Sequence, residues 1–255
     1  MLADSNPSAR HFWAAPPREC FPSCYPRTDR EAWQNAEFPL PPAMPGAVVL
    51  LELQLASNVV DREAITRLIR NDVGLTVQLL RLARAQGLGR RAGHLSVGEL
   101  VVHLGLEKLR TMAAGTRLLA CQPEGNARFE ACKAFWMRAR RTAHAAEELA
   151  AHTSARMRET AYVAGLVCHL GRLPAVLDWK IPGIESIHPA KIGFHMAKAW
   201  KFPSILVEII RRDEQACTSF AARRLLRLVN AADRQASTVG SLASAEVAHR
   251  APSLS

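Results

Sequence analysis

From Pro39 onward the apolar residues of this chain recur three and four apart, and nowhere do they alternate in steps of two between turn signals. That period puts apolar side chains on one face of a helix and excludes half-buried strands, so the expected fold class is all-α. A stiff lead-in, Pro39-Leu40-Pro41-Pro42-Ala43-Met44-Pro45, feeds Val48, Leu51 and Leu55 at helical spacing. Asp61 is placed to cap a helix carrying Ile65, Leu68 and Ile69 that ends near Asn71-Asp72. Leu75, Val77, Leu79, Leu80 and Leu82 continue the pattern as far as Gly87-Leu88-Gly89. Ser96 to His103 reads as another helix, with Gly98 its weak point, and Gly105 separates it from Leu106, Leu109, Met112 and Ala113. A long helix is expected from Phe129 to about His152, with Phe135, Ala139, Thr142, Ala146 and Leu149 along its inward stripe. Ala161 to Leu170 is almost wholly apolar and reads as a buried helix. Pro174, Pro182 and Pro189 mark a loop-rich stretch, after which helices are expected over Ile192–Trp200, Ser204–Arg212 and Thr218–Arg234.

This organisation divides the chain into three. Residues 1–38 carry Pro7, Pro16, Pro17, Pro22 and Pro26 and no period, so an irregular or disordered N-terminal extension is expected. Its aromatic residues Phe12, Trp13, Phe21, Tyr25 and Trp33 could still tack parts of it onto the domain. Residues 39–236 form the helical domain, with Pro123-Glu124-Gly125-Asn126 as a linker between parts 39–122 and 123–236. Residues 237–255, small and polar, are expected to fray as a disordered tail. No apolar run reaches about 18 residues, so no membrane span is expected. The start lacks a basic segment followed by an apolar one, so no secretory signal is expected. Six cysteines then read as reduced thiols of a cytoplasmic protein. Cys20 and Cys24 alone are half a zinc site, with no second pair at finger spacing.

The formal net charge is +10. Residues 1–38 hold four arginines and five acids, whereas residues 39–236 hold 28 basic and 17 acidic side chains. The excess therefore lies on the helical domain and is scattered, with doublets at Arg90-Arg91, Arg140-Arg141, Arg211-Arg212 and Arg223-Arg224. No run of five or six like charges marks a nucleic-acid arm. Scattered arginines fit a solvated face; some of them, notably Arg90, Arg91, Arg211 and Arg212, could instead bind an anion.

Three stretches carry a resemblance to a known family. The first runs from Leu40-Pro41-Pro42 and Met44-Pro45 to Ile69-Arg70-Asn71-Asp72-Val73-Gly74-Leu75 and Leu79-Leu80-Arg81-Leu82-Ala83. The second runs from His94-Leu95-Ser96-Val97 to Val101-Val102-His103-Leu104-Gly105-Leu106-Glu107-Lys108-Leu109-Arg110. The third comprises Phe135-Trp136, Ala164-Gly165-Leu166-Val167-Cys168-His169-Leu170-Gly171-Arg172-Leu173, and Gly193 to Trp200 with Pro203. In this order the chain resembles the HDOD domain, a bacterial signalling relative of the HD-type phosphohydrolases, with Val73 where the family has a proline after its aspartate. The resemblance implies an N-terminal helical subdomain and a C-terminal, degenerate HD-like helical subdomain.

It also implies where a hydrolase would keep its metal. HD enzymes hold a divalent cation with a helix histidine, an adjacent His-Asp pair and a later aspartate, which together activate water. Carried over, these vestigial positions fall on Arg138, on Cys168-His169, and on Asp233, so only the final acid survives. A guanidinium cannot ligate a metal. An Arg138–Asp233 ion pair could stand in for the lost cation, since a buried acid needs a partner. Cys168, His169 and Asp233 could alternatively form a rearranged zinc site, although neighbours on a helix seldom point to one centre. Arg211-Arg212-Asp213-Glu214 stands where relatives often show a His-His pair. His144 and His152 read as surface residues, His188 and His195 flank Gly193, and His103 reads as packing. No nucleophilic triad or phosphate loop can be assembled.

The function expected from this set is a catalytically silent regulatory module of bacterial signal transduction, with no catalytic residue, metal or cofactor. It would bind a signalling protein in trans or a nucleotide second messenger. The alternatives are a nucleic-acid-binding regulator using the basic surface, and a residual metal-dependent phosphohydrolase.

Overall fold

A computed structural model of the chain describes residues 38–88, 96–119, 127–181 and 183–249, with side chains through residue 238. The chain divides by its internal contacts into residues 1–36 and residues 37–255, and every described residue belongs to the second unit. The expected extension over residues 1–38 thus lies, apart from Phe38, outside the described residues. Among the described residues the fold is all-α, relieved by one isolated parallel bridge between Ala43 and Leu118.

Five helices form a first cluster: α1 (Pro45–Ala56), α2 (Arg62–Arg70), α3 (Val73–Ala85), α4 (Val97–Leu104) and α5 (Leu106–Ala114). Their starts follow from side chains that satisfy the orphan N–H groups of a first turn. Asp61 Oδ1 accepts from the amides of Glu63 (2.9 Å) and Ala64 (3.0 Å). Asp72 Oδ1 accepts from Leu75 N at 2.9 Å, so Val73 occupies the first position of α3 without needing to be a proline. α3 is apolar nearly all round, burying Val73, Leu75, Val77, Leu79 and Leu80, and packs against α2, α4 and α5.

The second cluster holds α6 (Ala127–Leu149), α7 (Ala155–Val167), a 3-10 turn (Leu170–Arg172), α8 (Leu173–Leu177), α9 (Pro189–Ala199), α10 (Ser204–Arg211) and α11 (Phe220–His249). α6 packs along α7 and α11. Its inward face is lined by Ala139, Ala143 and Ala146, all fully buried, and small residues there let α7 come close. A Cβ on Gly165 of α7 would stand 2.8 Å from Ala143 Cα, so only glycine permits this approach. Gly171 is tighter still: a Cβ there would meet the Pro189 carbonyl oxygen at 1.7 Å, which seats the turn after α7 directly on α9.

Several boundaries differ from the sequence expectation. α6 ends at Leu149, which is 42% exposed and not part of the inward stripe. α7 begins at Ala155, six residues before the apolar run, because Ser154 caps it through Met157 N at 3.3 Å. Pro174 and Pro189 open helices instead of interrupting them, since a first-turn residue needs no N–H. The last helix passes Ala236 and continues to His249, where a frayed tail was expected from residue 237. His103 is exposed, its ring nitrogen 2.7 Å from the Glu99 carbonyl, and not a packing residue. The stretch Ala155–Leu177 is apolar and long enough, by composition, to cross a membrane. Here 83% of its window is buried, and the stretch is broken into α7, the 3-10 turn and α8 in the core.

Two polar groups, one buried and one half-buried, join the clusters. Asp72, at 1% exposure, accepts from Met44 N (2.9 Å) and from the Trp136 indole N–H (3.2 Å) through Oδ2. It therefore ties the proline lead-in, α3 and α6 to one carboxylate. Arg70 reaches Glu147 on α6 (2.8 Å) and Glu159 on α7 (3.2 Å), with its guanidinium 4.0 Å from the centre of the Tyr162 ring.

Candidate functional site

The second cluster brings three elements to one carboxylate, that of Asp233 on α11. Arg138 lies on α6, where the 3.6-residue period places it three after the buried Phe135 and on the same side. Cys168 and His169 follow the end of α7, held by the Gly171–Pro189 approach. Arg212 is the residue after α10 and has a left-handed backbone, φ 57°, which turns the chain back and separates its direction from that of Arg211.

Arg138 Nη2 donates to Asp233 Oδ1 at 2.5 Å, and His169 Nε2 is 2.8 Å from the same oxygen. Arg212 Nη1 donates to Oδ2 at 2.9 Å. The second guanidinium nitrogen of Arg212 lies 3.4 Å from Cys168 Sγ, and that thiol also faces the Gly165 carbonyl at 3.2 Å. Ser237, one turn beyond Asp233, accepts from Arg138 Nη2 at 2.6 Å and donates to the Asp233 carbonyl at 2.7 Å. Both carboxylate oxygens are therefore engaged by the protein's own cations in a site where Arg138, His169 and Asp233 are 11%, 5% and 13% exposed.

The electrostatics follow from this packing. Burial opposes the Asp233 carboxylate, but His169, Arg212 and Arg138 outweigh it and hold the group well below the usual carboxylate range. Burial likewise opposes an imidazolium at His169, and attraction to a Cys168 thiolate together with the Asp233 hydrogen bond overcomes it, raising its pKa. For Cys168 burial is offset by His169 and Arg212, and the thiol is shifted down. Arg172, whose amide donates to the His169 carbonyl at 2.9 Å, is shifted down by burial and by Arg138 and Arg212. The centre is thus rich in positive charge.

Such a set does not fit a divalent cation. The lone pairs of Asp233 are directed at guanidinium and imidazole donors, Cys168 points to Arg212 and Gly165, and a metal would sit beside three arginines. Among the described residues no three His, Cys, Asp or Glu side chains converge as a ligand group. Cys168, His169 and Asp233 lie together, with a side-chain hydrogen bond between Cys168 and His169, but their lone pairs are taken up by one another and by Arg138 and Arg212, so the rearranged zinc arrangement does not assemble.

Of the residues singled out from sequence, Arg138, His169 and Asp233 meet, and Cys168 joins them through its side-chain hydrogen bond with His169 and its contact with Arg212. Arg90 and Arg91 lie outside the described residues. The Arg211-Arg212 doublet is divided: Arg211 is half-exposed near Asp213 and the Phe194 ring, whereas Arg212 turns inward as a member of the Asp233 centre. Sequence reasoning placed Arg212 on an anion-binding surface and missed this role. The signal available was its position, where relatives often carry a His-His pair. His188 caps α9 by accepting from Ala190 N, and His144 packs edge-on to Tyr162 from an exposed position.

A family model described as HDOD domain matches residues 41–178, just over half of the chain, with Arg212 and Asp233 beyond its end. Among solved structures the chain is similar to a MmoQ response regulator from Methylococcus capsulatus str. Bath, at 23% identity and a TM-score of 0.62 over 79% of this chain and 88% of that one. It is also similar to a virulence factor from Campylobacter jejuni subsp. jejuni, at 14% identity and a TM-score of 0.58 over 80% of this chain and 81% of that one. At these identities the likeness is one of fold. No curated protein matches.

Proposed function

Because the chain belongs to the HDOD-domain family, we propose that it acts as a catalytically silent signalling module that works by binding, in the cytoplasm of a bacterium. The observation that carries this reading is the closure of the Asp233 carboxylate by Arg138, His169 and Arg212. A hydrolase must leave carboxylate and imidazole lone pairs open to its metal, and here guanidinium groups occupy that place. The cluster keeps the helices of the second half in register, as a bound cation would, without offering a reactive water. The module would then present its surface to a signalling protein in trans, or to a nucleotide messenger gripped by arginine. The response regulator and the virulence factor of similar fold support a regulatory setting, although they share only the fold with this chain.

The test is twofold. Purified full chain with manganese and a panel of nucleoside phosphates and cyclic dinucleotides is expected to release no phosphate and to leave the nucleotides intact. A turnover that Asp233→Asn abolishes would overturn the silent reading. Affinity capture from extract of the native cell, with and without added nucleotide, is expected to retain a signalling protein specifically. Capture of nucleic acid alone, with steep loss at high salt, would replace this reading by a nucleic-acid-binding one.

A further inference from the structure

Away from Asp233, the lead-in to α1 and the start of α6 enclose a second feature. Ala43 N donates to the Arg117 carbonyl and Leu119 N to the Ala43 carbonyl, both at 2.8 Å, so the segments 39–43 and 117–119 run side by side as one wall. The first turns of α6 supply a second wall with Arg128, Phe129 and Cys132. Leu177, the last residue of α8, and the four residues that follow to Ile181 supply the third, and Cys132 Sγ reaches the Val176 carbonyl at 3.7 Å to hold it against α6. The three walls surround a half-open cavity of about 580 Å³, within the range that takes small organic ligands. None of its lining residues belongs to the Asp233 centre.

The lining has a definite chemistry. Its floor and sides are apolar and partly flat: Pro39, Pro42, Leu118, Leu119, Phe129 and Trp179. Its charged members are Arg117, Arg128 and Lys180 against one acid, Asp178. Asp178 is itself committed. A left-handed backbone at φ 53° ends α8 there and directs its carboxylate to Arg128 Nη2 at 2.6 Å and Lys180 Nζ at 2.7 Å. Three cations and one neutralised carboxylate leave the cavity with an excess of two positive charges over apolar walls. Leu118 remains 51% exposed at the opening, an apolar surface that a seated ligand would cover.

We propose that this cavity is a binding site for a small organic anion with a flat apolar body, such as an aryl carboxylate, sulfonate or phosphate monoester. The ring lies between the Phe129–Trp179 side and the proline wall, and the anionic group faces Arg117 and Lys180. A purely apolar ligand would leave the cations unmatched, and inorganic phosphate would leave the walls wet. Arginine and lysine at an open rim give charge recognition without burying an unpaired charge.

Naphthalene-1-sulfonate and its neutral counterpart 1-naphthalenemethanol serve as probes of the full chain by calorimetry, with ligand-observed NMR as a second readout. Saturable binding of the sulfonate is expected, at roughly tenfold or more the affinity of the alcohol. The double variant Arg117→Ala/Lys180→Ala, at exposed positions, is expected to remove that preference while its melting temperature stays with the parent. Phe129→Ala is expected to weaken both probes, and Arg211→Ala to change neither. Equal affinity for the two probes, sulfonate binding unchanged in the double variant, or no binding at millimolar sulfonate would each overturn the proposal. Because no variant touches Asp233 or its partners, these outcomes are independent of the reading given to that centre.

Discussion

Arg138 on α6 and Asp233 on α11, 95 residues apart in sequence, meet at 2.5 Å with their side chains almost wholly inside the fold. The contact is one arm of a centre in which a single carboxylate answers two guanidinium groups and an imidazole. Its consequence is an asymmetry: the carboxylate is shared by every cation, while each cation has only a part of it.

Removing the shared partner should therefore cost most. Asp233→Asn leaves Arg138, Arg212 and His169 facing one another, and a loss of about 3–5 kcal/mol is expected. Arg138→Met leaves Asp233 held by the other two and should cost less, about 1–3 kcal/mol. Urea unfolding of the two variants ranks them; a larger loss in Arg138→Met would mean that the carboxylate is not the keystone.

The same centre gives stability a bounded pH range. The carboxyl of Asp233 is depressed when folded, so its contribution is present above its ordinary value and is lost as pH falls toward the folded one. The imidazole of His169 is raised, so its contribution is full below its ordinary value of 6.5 and is lost as pH rises through the folded value. Both are in place between about pH 4 and about pH 6.5. Melting temperatures measured from acid to alkaline buffer should show the high plateau there, and His169→Gln should flatten its alkaline side.

Asp72→Ala should loosen the joint between the two helical clusters. It removes the cap of α3 and leaves the Met44 amide and the Trp136 indole N–H without their acceptor, an expected cost of about 2–4 kcal/mol. Amide hydrogen exchange should quicken at Met44 and Leu75 first. Retained protection at both would show that water replaces the carboxylate at little cost.

Alanine at two glycines should act in opposite directions. In Gly171→Ala the new methyl cannot coexist with the Pro189 carbonyl, so the turn must move off α9, with a loss of about 2 kcal/mol or more. At Gly98 the nearest atoms to an added Cβ, on Ser96 and Thr66, stand at 3.8 Å, and Gly98→Ala should gain about 0.5 kcal/mol. Thermal unfolding of the pair separates close packing from backbone entropy in one comparison.

Arg70→Lys should fail to replace arginine. An ammonium can serve Glu147 or Glu159 but has no planar fork to meet both while lying over Tyr162. A loss of about 1 kcal/mol is expected even though the charge is kept, and an unchanged unfolding midpoint would show that charge alone suffices.

The amino-acid sequence by itself determined the fold class, most helix faces and the cap at Asp61, because these depend on local period and on side chains within three residues of an amide. It also pointed to Arg138, Cys168, His169 and Asp233 through the family resemblance. Boundaries set by longer-range packing were less legible. Ser154 starts α7 before its apolar run, Pro174 and Pro189 open helices, and Leu149 lies beyond the face that α7 and α11 cover. Arg212 was hidden for a different reason: in sequence it is one half of a surface-like doublet, and a single left-handed residue after α10 sends it inward. Only the tertiary structure decided that Asp233 would be closed by three cations contributed from three separate stretches of chain. A carboxylate's partners are chosen by distance and burial, and neither quantity is written along the sequence.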